Sequence, residues 1–385
     1  MKLWNRASGN LKDRNSIWMA SISRRSPNRN PDLEAAIIRA TSHDETYVDY
    51  RNAQRVFAWV KTSPAYLKPL IWALSKRMEK TRSWVVALKG LMLMHGVFCC
   101  KIPIMEKIGR LPFDLSNFSD GHSHLCKTWG FNSFIRSYFA FLDQRAFWLD
   151  MDTKEDEEQT QKTNESMLQE LIKLQQWQTL LDMLLQIKPE ATQMNVGLIL
   201  EAMDCIIIEI FDIYSRICNG VARILVKIHA AGKVEANMAL KVLRKATAQG
   251  DRLSLYFELC KNLGVRNASK FSKVEKIPQE DIRELEQIIN GVLEDKAIVV
   301  RQKGSIEEGK GTEGSPKTVI SKKWERFDEQ LRGNKEGTGA PDGGKMIVAQ
   351  NPSTATCNSR PHAHQPLPDL ITGLFPPAQI LENVQ

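Results

Sequence analysis

The chain has 385 residues, of which 42% are apolar and 25% charged, a composition typical of a soluble globular protein with room for two or three domains. It contains no run of about 18 uninterrupted apolar residues, which argues against a membrane-spanning helix. Its N-terminus also lacks the apolar region of a signal peptide.

The formal net charge of +8 is concentrated at the N-terminus. Residues 1–30 hold seven Lys or Arg and one acid, whereas residues 31–295 are balanced. A basic terminal segment suits an anionic surface, either phospholipid or nucleic acid. The alternative is a basic arm that is merely solvated. The seven cysteines have no framework spacing, which indicates a reducing compartment.

Helical periodicity dominates the segment 31–295, and no strand pattern competes with it. The first helix of this segment begins near Asp32, a candidate N-cap, and a second helix follows. Ser63 and Pro64 are the residue types expected at the cap and first turn of the next one. The stretch 82–100 is apolar on nearly every face, which predicts a central core helix.

Amphipathic segments return later in the chain and predict further helices, at 165–187, 196–229, 233–263 and 279–294. Stacked antiparallel helices with short connections form an α-solenoid or an extended bundle. The predicted fold class is therefore all-α. The acidic, polar stretch 150–166 breaks the pattern, and we expect an exposed loop there.

The segment 296–385 differs from the rest, because it holds 10 of the 22 glycines and 8 of the 16 prolines. Such a segment cannot bury enough apolar surface to offset the entropy of ordering it, so we expect a disordered tail. Its apolar cluster at 366–381 is typical of a peptide ligand for another domain. The alternative is a tail segment without a partner.

No catalytic constellation is evident, since the sequence has no Walker loop, dinucleotide-binding glycine motif, nucleophile elbow or zinc-protease motif. His122, His124 and Cys126 lie close together but lack a fourth zinc ligand at suitable spacing. We interpret His95 as a hydrogen-bonded core histidine. No enzyme activity, cofactor or metal is expected, and the neutral body argues against a nucleic-acid partner.

Five stretches resemble one known family: "LKDRNSIWMASIS" (11–23), "LEAAIIRATSHD" (33–44), "SWVVALKGLMLMHGVF" (83–98), "LPFDLSNFSD" (111–120) and "FNSFIRSYFAFLDQRA" (131–146). They resemble the ANTH domain of clathrin assembly proteins, with a lead-in similar to that of the plant members. The resemblance covers about residues 1–295. It implies an ANTH-type helical domain over 31–295, a basic lead-in over 1–30 and a variable tail.

The resemblance also implies a function. ANTH domains hold the inner leaflet through phosphatidylinositol 4,5-bisphosphate, and the tails of these proteins bind clathrin heavy chain and its adaptor complex. Later helices of some members bind vesicular SNAREs. The implied location is the cytoplasmic face of membranes, at clathrin-coated pits and vesicles and at the Golgi or trans-Golgi, with a cytosolic pool. The contacts with lipid, clathrin and the adaptor complex are individually weak, but their affinities combine because each one raises the effective concentration of the others.

The tail contains "PDLI" and "GLF", which resemble short coat-binding ligands loosely. The candidate clathrin- and adaptor-binding residues are Asp369, Leu370, Ile371, Leu374 and Phe375.

The lipid site of the family has the pattern Lys, nine residues, Lys, any residue, Lys or Arg, then His or Tyr. Read without gaps from Arg39, this pattern places Asp49 at the second lysine. A better alignment gives Tyr47 the terminal position and shortens the connection, so the lysine cluster is lost. The retained candidates are Arg39, His43, Tyr47 and Arg51. Because acids replace the lysines, we expect weak or altered phosphoinositide preference.

The N-terminal lead-in is expected to compensate for the lost lysines. Apolar residues recur in it at helical spacing, and its cations are Lys2, Arg6, Lys12 and Arg14. Such an arm suits an anionic interface with Trp4 at headgroup depth, although Gly9 would weaken the helix. The alternative is that Trp4 and Leu11 pack on the domain. The alternative function is a helical cargo or SNARE scaffold with weakened or lost phosphoinositide binding.

Overall fold

The structure is a computed structural model that describes residues 2–22, 28–100, 102, 108–121, 125–159, 166–190, 194–228 and 231–269, with 283, 286 and 287. The helices are α1 (Lys2–Ser21), α2 (Pro31–Ala40), α3 (Tyr50–Thr62), α4 (Leu67–Lys80), α5 (Trp84–Cys99), α6 (Leu125–Gln159), α7 (Met167–Leu184), α8 (Gly197–Lys227) and α9 (Lys233–Leu263). Short 3-10 turns occur at Pro64–Tyr66 and Arg266–Ser269. The described residues contain no β-strand, which confirms the all-α class.

Most helices pack against their neighbours in the chain, as expected for stacked helices. The helix α5 lies at the centre and contacts α3, α4, α6 and α8. Every residue from Trp84 to Phe98 is buried, because neighbouring helices cover all of its faces. The predicted core helix is therefore confirmed. None of the described helices combines the length and apolarity needed to cross a membrane.

The helix starts differ in part from expectation. The cap of α2 is Asn30, whose side chain accepts hydrogen bonds from the N–H groups of Asp32 and Leu33. Asp32 lies instead in the first turn, where its charge suits the helix dipole. Ser63 does act as a cap, but for the 3-10 turn that precedes α4.

The polar stretch 150–166 is helical as far as Gln159, because α6 continues into it. The expectation of a loop is thus corrected for residues 150–159, while 160–165 lie outside the described residues. The predicted helix at 279–294 lies almost entirely outside them as well. The same holds for the tail 296–385, including the candidate ligands Asp369 to Phe375.

Candidate lipid-binding surface

The loop between α2 and α3, residues 41–49, is held by α1 and α4. The Asp13 carboxylate accepts hydrogen bonds from the backbone N–H and the ring Nδ1–H of His43, both at 2.8 Å. Arg77 donates to the same carboxylate at 2.8 Å and to the Thr41 carbonyl at 2.6 Å. Burial alone would raise the pKa of Asp13, but these hydrogen bonds outweigh it and hold the pKa below its ordinary value.

Close packing between α1 and the loop depends on Gly9. A Cβ atom at this position would lie 2.6 Å from the Cβ atom of His43, which is too close for two carbon atoms. The helix α1 runs through Gly9 without a break. Gly9 therefore allows α1 to approach the loop closely, and the expected cost of a glycine within the helix stays a prediction.

Two of the three acids near this loop have structural roles. Asp44 is only 8% exposed, and its carboxylate accepts hydrogen bonds from the N–H and the hydroxyl of Thr46 at 3.0 and 2.6 Å. Asp49 caps α3 by accepting from the Asn52 N–H at 3.1 Å. Glu45 is the exposed acid of the three. Of the acids that replace the family's lysines, Asp44 is therefore turned into the protein and Glu45 faces solvent.

The retained lipid-site candidates divide into two groups. Arg39, Tyr47 and Arg51 are exposed, and Tyr47 is 52% exposed at the rim of the loop. His43 is partly buried, with its Nδ1 atom bonded to Asp13. The exposed group is available to an anionic ligand, whereas His43 joins the loop to α1.

Beneath the loop lies a lysine that the sequence reasoning missed. The Lys89 side chain of α5 is 2% exposed, and its Nζ atom donates to the Asp44 carbonyl at 2.6 Å and to the Ser42 hydroxyl at 3.2 Å. The same atom lies 5.5 Å from the centre of the Tyr47 ring. Burial lowers the pKa of Lys89 to about 8. The available signal was the single lysine of a core helix whose other residues, apart from His95, carry no titrating nitrogen.

The outer face of α1 carries apolar side chains. Leu11 and Trp18 are 69% and 59% exposed, and their spacing of seven residues places them on one face of the helix. Ile22, the first residue after α1, is 58% exposed and continues this spacing. Lys12 and Arg14 are exposed on the flanks of this face. Leu11 therefore does not pack on the domain, contrary to that alternative. Lys2, Arg6 and Trp4 belong to the same helix, but their side chains lie outside the described part.

A second polar cluster is sealed inside the core. The Nε2–H of His95 donates to Glu209 at 3.2 Å, and Nδ1 accepts from the Tyr138 hydroxyl at 2.7 Å. The Nε atom of Arg145 lies 2.8 Å from Glu209 and forms an ion pair with it. Burial lowers the pKa of His95, which favours this neutral ring. The expectation of a hydrogen-bonded core histidine is confirmed.

One potential metal-binding group occurs within the described residues, formed by His95, Cys99 and Glu209, whose ligand atoms lie within 4.8 Å of one another. These residues suit a structural role better. Both ring nitrogens of His95 are engaged, and burial raises the pKa of the Cys99 thiol well above its ordinary value, which disfavours the thiolate that binds metal. The sequence candidates His122 and His124 lie outside the described residues.

The family model of the ANTH domain matches residues 32–291. The chain belongs to the ANTH domain family. The helices from α2 onward and the 41–49 loop thus lie within a known domain type, whereas α1 precedes the matched residues and the tail follows them.

Full-length relatives support this assignment. The chain is 54% identical over 344 residues to the Arabidopsis thaliana protein named "Putative clathrin assembly protein At1g25240", covering 86% of this chain and 88% of that one. It is 48% identical over 341 residues to "Putative clathrin assembly protein At1g68110" of the same plant, covering 86% and 89%. Both alignments are longer than the segment 32–291 that the family model matches.

Proposed function

We propose that this ANTH protein is a non-catalytic clathrin adaptor that links phosphoinositide-containing membrane to clathrin coats during endocytosis and vesicle budding. Family membership and the names of its relatives support the clathrin part of the proposal. The observation that carries the membrane part is the outer face of α1, where apolar side chains lie between exposed cations. Its site of action is the cytoplasmic face of clathrin-coated pits, vesicles and Golgi membranes, with a cytosolic pool.

The membrane contact has two parts. Trp18 and Leu11 insert at the interface, where amphipathic helices with tryptophan and flanking cations bind anionic lipid. Lys12 and Arg14 supply charge beside them, together with Lys2 and Arg6 of the same helix. A polybasic contact of this kind contributes about 1 kcal/mol per cation near an anionic surface.

The loop supplies the headgroup contact. Arg39 and Arg51 are exposed cations on the two helices that flank it, and Tyr47 lies between them in sequence. Because the lysine cluster of the family pattern is absent, we expect only weak preference for phosphatidylinositol 4,5-bisphosphate at this loop. The α1 contact and the loop contact strengthen each other's affinity for the membrane, because the first contact raises the effective concentration of the second.

The tail supplies the coat contact. We infer that Leu370 and Ile371 bind clathrin heavy chain or the adaptor complex, with Asp369, Leu374 and Phe375 completing the ligands. Short apolar segments of this type bind grooves on folded domains. Vesicular SNAREs are proposed as further partners of the later helices.

The membrane proposal is tested by vesicle sedimentation with the full chain. Replacing Leu11 and Trp18 by Ser should weaken binding to vesicles of phosphatidylcholine and phosphatidylserine by about tenfold or more, because buried apolar area is lost. Leu255→Ser is the matched control, since Leu255 of α9 is 67% exposed. Equal binding of the double variant and the control would favour the scaffold that has lost lipid binding.

The coat proposal is tested by pulldown of clathrin heavy chain and adaptor complex. Replacing Leu370 and Ile371 by Ala should abolish most of the captured protein. The control replaces Ile347 and Val348, two apolar residues of the same tail outside the candidate ligands. Undiminished capture by the first variant would contradict the assignment.

A further inference from the structure

Residues 42–47 are held by a buried charge that lies outside the short lipid-site pattern of Lys, Arg, His and Tyr residues. The Lys89 ammonium donates to the Asp44 carbonyl and the Ser42 hydroxyl, and it lies under the Tyr47 ring. The Lys89 residue is 2% exposed, so its ammonium loses nearly all of its hydration. Its burial therefore needs compensation, and the loop provides two acceptors and an aromatic face.

We propose that Lys89 is the positioning cation of the headgroup site: it fixes the loop that presents Tyr47 and adds a buried positive charge to the field met by a phosphorylated inositol ring. This inference rests on the proposed function and deepens it. Through the Tyr47 face, the buried charge takes the place of part of the missing lysine cluster. The ligand chemistry is a phosphate monoester on inositol, either in a lipid or in a free inositol phosphate.

The charges around Lys89 determine how it responds to pH. Desolvation by burial lowers its pKa to about 8, and four acids oppose that shift: Asp44 of the loop, Asp13 of α1, Glu201 of α8 and Asp49 at the start of α3. Lys89 is therefore the cation of this site that loses its proton at mildly alkaline pH.

Thermodynamic linkage between protonation and ligand binding gives the direction in which pH changes the affinity. A polyanion bound at the loop favours the charged form of Lys89, so binding raises the pKa of this amine. Binding is then strongest below the pKa of the free protein and weakens as pH rises through about 8. Arginine at the same position keeps its charge and should remove this pH dependence.

Binding is measured with the full chain at about pH 7 and about pH 9.5, on vesicles with and without phosphatidylinositol 4,5-bisphosphate. The lipid phosphates titrate too, but they do so equally for every variant, so each protein is compared with K89R. Between the lower and the higher pH, we expect the affinity of the unmutated protein for bisphosphate vesicles to fall by a factor about threefold or more larger than that of K89R. K89Q should bind weakly at both pH values, and hydrogen exchange of residues 42–47 should be faster in it.

A second measurement needs no substitution. The pKa of the Lys89 amine is followed by NMR of the labelled lysine side chain, with and without soluble inositol trisphosphate. We expect the pKa to rise on binding. An unchanged pKa despite binding, or equal pH profiles for the unmutated protein and K89R, would overturn the role of Lys89 but leave the lipid proposal intact. If the protein binds neither bisphosphate vesicles nor the soluble headgroup at either pH, both the role of Lys89 and the phosphoinositide proposal are overturned. If it binds the soluble headgroup but not the vesicles, the ligand of the site is a free inositol phosphate.

Discussion

Two polar clusters reach the same helix, α5, and they differ in what covers them. Lys89 lies directly beneath a surface loop and bonds to its backbone. His95, six residues further on, is 0% exposed and bonds to Tyr138 and Glu209 within the core. Both clusters contain buried titratable groups. Burial alone therefore does not distinguish the two clusters.

The two clusters differ in whether an external ligand can reach them. In the His95 cluster, protein groups occupy both ring nitrogens and Arg145 forms an ion pair with Glu209. His95 and Glu209 are 0% and 3% exposed, so an external ligand has no access to them. In the Lys89 cluster, the partner Tyr47 is 52% exposed, so that an external anion can influence the buried charge through it. The first cluster should therefore affect stability alone, whereas the second should affect both stability and binding.

The largest effect is expected from the sealed cluster. Glu209→Leu leaves the Arg145 cation buried without its partner, and breaking such a pair costs about 3–5 kcal/mol. Urea unfolding should show this loss in the free energy of unfolding. Glu258→Leu makes the same replacement at an exposed position of α9 and should change the free energy by less than about 0.5 kcal/mol. A similar loss in both variants would contradict a buried ion pair at Glu209.

A smaller loss is expected where α1 meets the loop. Asp13→Asn removes the charge that pairs with Arg77 and His43, and charge-assisted hydrogen bonds of this kind contribute about 1.5–3 kcal/mol. Because the pKa of Asp13 is lowered by folding, its contribution is present above the ordinary Asp pKa and is lost as the pH falls through the lowered pKa. The difference between the two proteins should therefore shrink in acid.

Unfolding curves at neutral and acidic pH measure this effect, and Asp32→Asn provides the control because Asp32 is an exposed acid of α2. The control should lose less than about 1 kcal/mol, which corresponds to its favourable position at the helix N-terminus. Unlike Glu209→Leu, Asp13→Asn should also weaken vesicle binding, since it releases α1 and the loop together. A stability loss without any change in binding would place Asp13 with the sealed cluster.

The fold was predictable because it depends on periodicity and on residue types repeated over many turns. The apolar run around Lys89 predicts the core helix, and Ser63 with Pro64 predicts a helix start. The long-range pairs were not predictable in this way. Asp13 contacts His43 and Arg77 across 30 and 64 residues, and no local pattern encodes such pairs. The burial of Asp44 depends on a turn formed with Thr46, whose hydrogen bonds sequence spacing alone does not specify.

The smallest effect tests the remaining acid of the loop. Glu45 is exposed, whereas Asp44 is committed to Thr46, so Glu45→Lys should change the local charge without removing a structural hydrogen bond. Reversing one charge near an anionic surface should strengthen binding to bisphosphate vesicles on the order of fivefold, with little change in the free energy of unfolding. Glu258→Lys makes the same charge change on α9 and should leave vesicle binding nearly unaltered. If both variants bind equally more strongly, net charge and not the loop controls the affinity; if neither does, the loop does not face the membrane and α1 alone provides the contact.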